Sequence, residues 1–324
     1  MRICRILNGM WQVSGAHGSI DPSAAIEAMV AHHDRGFTTW DLADHYGPAE
    51  DFVGQFRQYV TSARGPDALA QSVAFTKWVP NPGPMSRATV ERAVDVSLHR
   101  MHLQALDLLQ FHWWDYADDR YLEALRQLDL VHSEGKLRYL GLTNFDTARL
   151  ETIQQAGIPI VSNQVQYSLI DRRPEVQMAE WCLRHDVKLL AYGTLGGGLL
   201  SERYLDQPEP RAADLTTASL QKYKRMIDAW GGWDLFQQLL GALKAIAEKH
   251  QASIANVAVR AILDQAAVGG VIVGVRLGRS EHLEDNARVF DFALDLEDWA
   301  AIDRISSQSL DLYQIIGDCG DEYR

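Results

Sequence analysis

The sequence predicts an α/β fold, a closed (β/α)8 barrel forming one domain over residues 1–324. Three observations lead there. Short, apolar, β-rich runs recur eight times along the chain, and amphipathic stretches of helical period separate them. The 324 residues also leave room for a barrel, which takes roughly 250, and one large insertion. Strands alternating with helices imply βαβ units and a parallel sheet. Strands of such a sheet are covered on both faces and read as continuous apolar runs.

The predicted strands are Arg5–Asn8, Thr38–Leu42, Val73–Trp78, Leu106–His112, Leu137–Thr143, Ile158–Gln166, Lys188–Gly193 and Gly270–Gly274. Val73–Phe75 and Lys188–Tyr192 show the buried-strand pattern most clearly. The first helix, Pro22–His33, opens on Asp21 as N-cap with proline at the first helical position. Further helices are expected at Met85–Met101, Asp119–Ser133, Asp146–Gln155, Pro174–His185 and Leu235–His250. Residues Ser201–Trp233, polar and carrying Pro208 and Pro210, form a long loop/helix insertion after the seventh strand. An insertion at that end of a barrel shapes the mouth of the site. From Phe290 onward one helix, Leu296–Ser307, and an acidic irregular tail are expected.

Composition narrows the functional classes. Apolar residues make up 47 %, too many for a disordered chain. With 31 basic and 43 acidic residues, the net charge of −12 lacks the basic footprint of a nucleic-acid binder. It also repels anionic membranes. Cys4, Cys182 and Cys319 are scattered and form no metal-binding pair, so reduced thiols, no metal and a cytoplasmic location are expected. No window of 18 apolar residues exists to span a membrane. The opening MRICRILNGMWQVSG is too short and polar for a signal peptide.

Barrel enzymes do their chemistry where strands end. Lys77 ends the third predicted strand, and a buried ammonium there needs an anion. Asp41, ending the neighbouring strand, is the natural one. Alone, the pair also has a plainer reading, a structural salt bridge holding the barrel shut. Tyr46 lies five residues after Asp41 on the loop that follows. A nearby ammonium favours the phenolate and lowers a tyrosine pKa from its ordinary value of about 10. His112 ends the next strand and suits orienting a substrate oxygen. Singly, Tyr46 reads as a loop aromatic and His112 as a core histidine. Together the four describe a proton donor, its cationic tuner, a carboxylate and an orienter, a set suited to protonating a carbonyl oxygen.

DLADHYG (41–47), Lys77 at a strand end, LLQFHWW (108–114) and GLTNF (141–145) together resemble the aldo-keto reductase superfamily. The resemblance runs from about Leu7 to Asn286. It implies a (β/α)8 barrel that reduces aldehydes and ketones with NADPH by hydride transfer, Asp41, Tyr46, Lys77 and His112 being the catalytic tetrad. It implies that Thr143, Asn144 and Gln164 hold the nicotinamide amide and that Tyr192 stacks on its ring. Gly193, Leu195 and Gly197 then border the pyrophosphate, where Tyr192-Gly193-Thr194-Leu195 departs from the family's usual Tyr-Ser-Pro-Leu. Gly274, Arg276, Arg279, Ser280, Asp285 and Asn286 fall in the adenosine-binding segment, two residues longer than the common form. Trp11, Trp78 and Trp113 are expected to line a pocket for a small carbonyl substrate. No GxGxxG follows the first strand, which argues against a Rossmann domain. The short lead before that strand implies a bottom hairpin that is reduced or absent. Two other readings stay open: a non-catalytic NADP-binding regulatory subunit, and a lyase or aldolase using Lys77 as a Schiff-base amine.

Overall fold

The computed structural model describes residues 1–14, 20–279 and 282–323. Eight parallel strands close into a barrel in chain order. They are β1 (Ile6–Gly9), β2 (Thr39–Asp41), β3 (Val73–Trp78), β4 (Leu108–His112), β5 (Leu140–Thr143), β6 (Ser162–Gln166), β7 (Lys188–Tyr192) and β8 (Val268–Gly274). Closure is made by β8 against β1, with Ile6 beside Val271 and Gly9 beside Gly274. The strands end where the sequence expects them to, within about a residue, but several begin later. Leu106 and Leu137 pair only through an isolated bridge, which shortens β4 and β5 at the bottom. Among the described residues no strand precedes β1.

The helices are α1 (Pro22–Asp34), α2 (Ala49–Arg64), α3 (Arg87–Met101), α4 (Tyr121–Ser133), α5 (Thr147–Gln155), α6 (Met178–Arg184), α7 (Ala218–Trp230), α8 (Gly232–Lys249), α9 (Ile254–Leu263), α10 (Leu283–Ala287), α11 (Leu296–Ser306) and α12 (Leu312–Ile316). Asp21, Ser86 and Asp146 accept from the backbone N–H groups of Ala24, Thr89 and Arg149, capping α1, α3 and α5. Such a cap satisfies donors that the first helical turn leaves open. The insertion after β7 runs through short 3-10 turns at Gly196–Gly198, Glu202–Tyr204 and Ala212–Asp214 up to Thr217 and is then helical in α7.

Burial follows the layers. Leu7, Phe75, Leu108 and Leu190 fill the barrel interior. A large apolar layer between the strands and α1–α6 includes Trp40, Phe56, Phe111 and Phe145. A second core, with Ile227, Trp230, Phe236, Leu239, Leu243 and Val257, gathers α7, α8, α9 and α11 on one flank. Among the described residues no helix is long and apolar enough to cross a membrane, and no cluster of His, Cys, Asp and Glu could hold a metal.

Candidate active site

The ends of β2, β3 and β4 converge at the upper rim. The parallel register sets Asp41 beside Phe75 and Lys77 beside Gln110. Lys77 Nζ donates to Asp41 Oδ1 at 2.9 Å, to Asp41 Oδ2 at 2.7 Å and to the Leu42 carbonyl at 3.0 Å. Both side chains of the pair are 4 % exposed. Burial pulls the lysine pKa down, while Asp41 and then Asp44 work in the other direction. The Lys77 ammonium lies 5.2 Å from the centre of the Tyr46 ring. Tyr46 is held at the mouth by the turn after β2, its backbone N–H donating to the Ala43 carbonyl at 3.1 Å. His112 ends β4 beside Thr143 of β5, and the Trp114 ring lies 4.3 Å from its own.

Asp41 has two further partners: Gln110, not singled out above, and Gln164, expected above to hold the nicotinamide amide. Gln110 Nε2 donates to Asp41 Oδ1 at 2.9 Å, and Gln164 Nε2 donates to the same oxygen at 2.7 Å. Gln164 Nε2 also reaches Gln110 Oε1 at 2.7 Å. All three side chains are buried. Gln110 stands two residues before His112 on a strand, hence on the same face, and this period is the signal that could have found it. The amide nitrogen of Gln164 is thus committed to Asp41 and Gln110.

The ends of β5, β6 and β7 form the adjoining arc. Thr143 Oγ1 is buried and has no hydrogen-bond partner among the described residues. Asn144 sits in left-handed backbone (φ 59°), a conformation asparagine tolerates better than most residues. Its N–H donates to the Gln164 carbonyl at 2.9 Å, tying the two rim residues together. The Tyr192 hydroxyl lies 2.9 Å from Asn144 Oδ1, and Lys222 of α7 lies 5.2 Å from the Tyr192 ring centre. Beyond Tyr192, Gly193, Gly196, Gly197 and Gly198 all have positive φ. At Gly193 a Cβ would strike the Tyr223 hydroxyl of α7, so glycine is required there. This arc suits a carboxamide: a buried hydroxyl without a partner stands beside two amide side chains. The glycine turn beyond suits close approach of an anion to backbone N–H groups.

The segment after β8 is more exposed. Arg276 donates from Nε to Gln12 Oε1 at 2.8 Å, and Gly274 packs against the same glutamine. Arg279 is exposed, and Gly278 (φ 72°) lies against Ala24 of α1. Ser280 lies outside the described residues. Asp285 accepts from Ser253 Oγ at 3.0 Å, its carbonyl accepts from Asn256 Nδ2 at 3.0 Å, and Asn286 follows within α10. Leu195 is half-buried between the two apolar layers.

The tryptophans divide differently from the sequence expectation. Trp11 is 41 % exposed and meets Tyr46 edge-on at 5.1 Å, at the mouth. Trp78 is buried, 5.5 Å from Phe111. Trp113 is also core: its Nε1 donates to the carbonyls of Asp115 and Asp118, which draws the indole away from the mouth. Trp114, 47 % exposed against His112, takes the rim position expected of Trp113.

The Aldo/keto reductase family model matches residues 5–307. Flagellar radial spoke protein 5 of Chlamydomonas reinhardtii is 29 % identical over 257 residues, covering 68 % of this chain and 49 % of that protein. The chain therefore spans about half the length of that relative. Aldo-keto reductase YhdN of Bacillus subtilis is 27 % identical over 318 residues, covering 94 % of this chain and 91 % of its own. An aldo-keto reductase from Klebsiella pneumoniae, solved in complex with NADPH, has a TM-score of 0.69 at 23 % identity over 94 % of this chain and 91 % of that one.

Proposed function

Because the chain belongs to the aldo/keto reductase family, we propose that it reduces an aldehyde or ketone to the alcohol, or runs the reverse oxidation. NADP(H) is the hydride carrier in this reading, and Tyr46 is the general acid–base. The observation that carries it is the buried Lys77 ammonium, held on both Asp41 oxygens and standing 5.2 Å from the Tyr46 ring. A cation so placed stabilises negative charge on the phenol oxygen and eases transfer of its proton.

NADPH, when bound, supplies the hydride. Thr143 and Asn144 would take its carboxamide, together with the oxygen of Gln164, whose nitrogen is already engaged by Asp41 and Gln110. Tyr192 would lie against its ring, and the 193–198 glycine turn along its phosphates. Arg276, Arg279, Ser280, Asp285 and Asn286 are the candidate contacts of the adenosine half. Tyr46 gives its proton to the forming alkoxide, Lys77 and Asp41 hold that phenol's acidity, and His112 orients the carbonyl oxygen. Trp11 and Trp114 flank the mouth and favour flat or ring-bearing carbonyl substrates.

The Schiff-base reading asks Lys77 to be an uncharged nucleophile. All three of its donor positions are instead spent on Asp41 and Leu42, as an ammonium's would be. The complete tetrad weighs against a purely regulatory role. The test is a panel of carbonyl substrates followed at the NADPH absorbance band, with NADH in parallel, for the wild type and Tyr46→Phe. Removing the phenol proton should lower kcat by ~10²–10⁴ while NADPH binding persists. Full activity in the phenylalanine variant would reject the assignment.

A further inference from the structure

The segment after α12 folds back onto the rim of the barrel. Asp318, Cys319 and Gly320 are buried there. Asp318 Oδ2 accepts from the Thr147 backbone N–H at 2.8 Å and from Gln177 Nε2 at 3.2 Å, docking the segment on the loops after β5 and β6. Arg173, its side chain 1 % exposed, is the hub. It donates from Nη1 to the Asp318 carbonyl at 3.0 Å, from Nη2 to Glu322 Oε2 at 3.0 Å, and to both oxygens of Asp171 at 2.8 Å. The Gly320 N–H also donates to Glu322 Oε2, at 2.8 Å. The other oxygen, Oε1, lies 3.1 Å from the hydroxyl of Tyr192.

The Glu322 side chain is 5 % exposed. Burial works against its charge, yet Arg173 and then Lys222 hold its pKa below the ordinary glutamate value. It is therefore a carboxylate, able only to accept. The Tyr192 phenol has one proton, and among the described residues its neighbouring acceptors are Glu322 Oε1 and the atom placed as Asn144 Oδ1. A bond to an ionised acceptor is roughly twice as strong as one between neutral groups, so the proton goes to Glu322. Amide oxygen and nitrogen are interchangeable in shape. Turned about, Asn144 donates an N–H to the phenol oxygen, and a directed chain runs from Asn144 through Tyr192 to Glu322.

We propose that Glu322 is a positioning residue of the dinucleotide site. By taking the Tyr192 proton it fixes the plane of that ring and decides which end of the Asn144 amide faces the nicotinamide carboxamide. This deepens the function proposed above and rests on it. The acid lies about 130 residues from Tyr192 in sequence, in a tail that no strand-end pattern points to.

The test is titration of NADPH by protein fluorescence against the wild type, Glu322→Gln, Glu322→Ala, Tyr192→Phe and the double variant Glu322→Gln/Tyr192→Phe. Glutamine keeps the shape, but Arg173 and Gly320 hold its amide oxygen, so its NH2 faces Tyr192 and reverses the chain. Both Glu322 variants should raise the NADPH Kd about tenfold. The double variant should bind no worse than Tyr192→Phe, because the two residues act through one proton. A merely structural contact would be rescued by glutamine and would lower only the melting temperature. Unchanged affinity in Glu322→Gln, or losses that add in the double variant, overturns the proposal. Tighter binding also overturns it, making the segment a competing plug. A wild type that binds no NADPH sinks the function proposed above and this inference with it.

Discussion

At the scale of single residues, Asp41 shows how much of the site lies behind the residues proposed to do the chemistry. Three donors converge on its Oδ1, from Lys77, Gln110 and Gln164. Only the lysine carries charge, so the amides fix where the carboxylate stands. Gln110→Leu removes one donor to Asp41 and one of the two acceptors of Gln164 Nε2, leaving an amide N–H unpaired in the interior. Loss of a bond to a charged acceptor is worth about 1.5–3 kcal/mol. The expected outcome is a fall in kcat of about tenfold or more, with NADPH affinity less changed, read by steady-state kinetics beside fluorescence titration. Unaltered kcat would mean that Lys77 and Gln164 hold the carboxylate in place without Gln110. Asp41, Tyr46, Lys77 and His112 were all legible in the sequence, because each sits at or just beyond a strand end. Gln110 and Glu322 were not. The first lies below the rim, where polarity reads as a core exception, and the second depends on a chain reversal that no local pattern encodes. Trp113 and Trp114 were ambiguous for a related reason. Two adjacent indoles share every sequence property; Trp113 is the buried one, packed beside Phe111 with its Nε1 donating to the carbonyls of Asp115 and Asp118.

At the scale of elements, a cap sharpened two helix starts without deciding which helices were legible: α4 and α8 were expected although no side chain caps them, and α9, capped by Ser253, was not expected. Asp21-Pro22 and Asp146 announce α1 and α5, and both boundaries fall within a residue of expectation. Helix α7 was absorbed into a polar insertion, although Met226, Ile227 and Trp230 follow helical spacing and bury one face. Helix α2 begins after Pro48 with no side-chain cap, which removes the usual start signal. The cap of α11 leads to a pH prediction. Asp295 accepts from the N–H groups of Glu297 and Asp298 and pairs with Lys249. The Lys249 bond, first, and the helix N–H bonds lower its pKa to about 2. Its folded value is thus below the unfolded one. The stability it contributes is present above the ordinary aspartate pKa and is lost as pH falls toward 2. Asparagine also caps helices well, so Asp295→Asn removes the charge and keeps the cap. The variant should unfold at lower denaturant than the wild type at pH 6, and the gap should close near pH 2. A gap that persists at pH 2 would assign the effect to geometry rather than charge.

At the scale of the whole molecule, closure was the feature that alternation alone could not decide, since an open doubly wound sheet has the same rhythm of strands and helices. Closure requires the first strand to pair with the last, and the residues that make this possible are individually unremarked. Gly270 lets β8 approach, because a Cβ there would meet Leu7 Cδ1 and the Arg5 carbonyl. Arg5, just before β1, donates to the carbonyls of Leu263, Val268 and Gly269, gathering the end of α9 and the start of β8 onto the first strand. The guanidinium fork matches these three carbonyls, and this seam lies at the bottom of the barrel, away from Asp41, Tyr46, Lys77 and His112. Arg5→Leu keeps the apolar stem and deletes the fork. The expected cost is about 2 kcal/mol of stability, or roughly 3 °C in melting temperature for a chain of this size. Amide exchange should quicken first in β1 and β8, because a barrel opens where its closing pair is weakest. Activity at 25 °C should be retained. Unchanged exchange in those two strands, with a lowered melting temperature, would place the weak point of the barrel elsewhere and make Arg5 an ordinary surface contact.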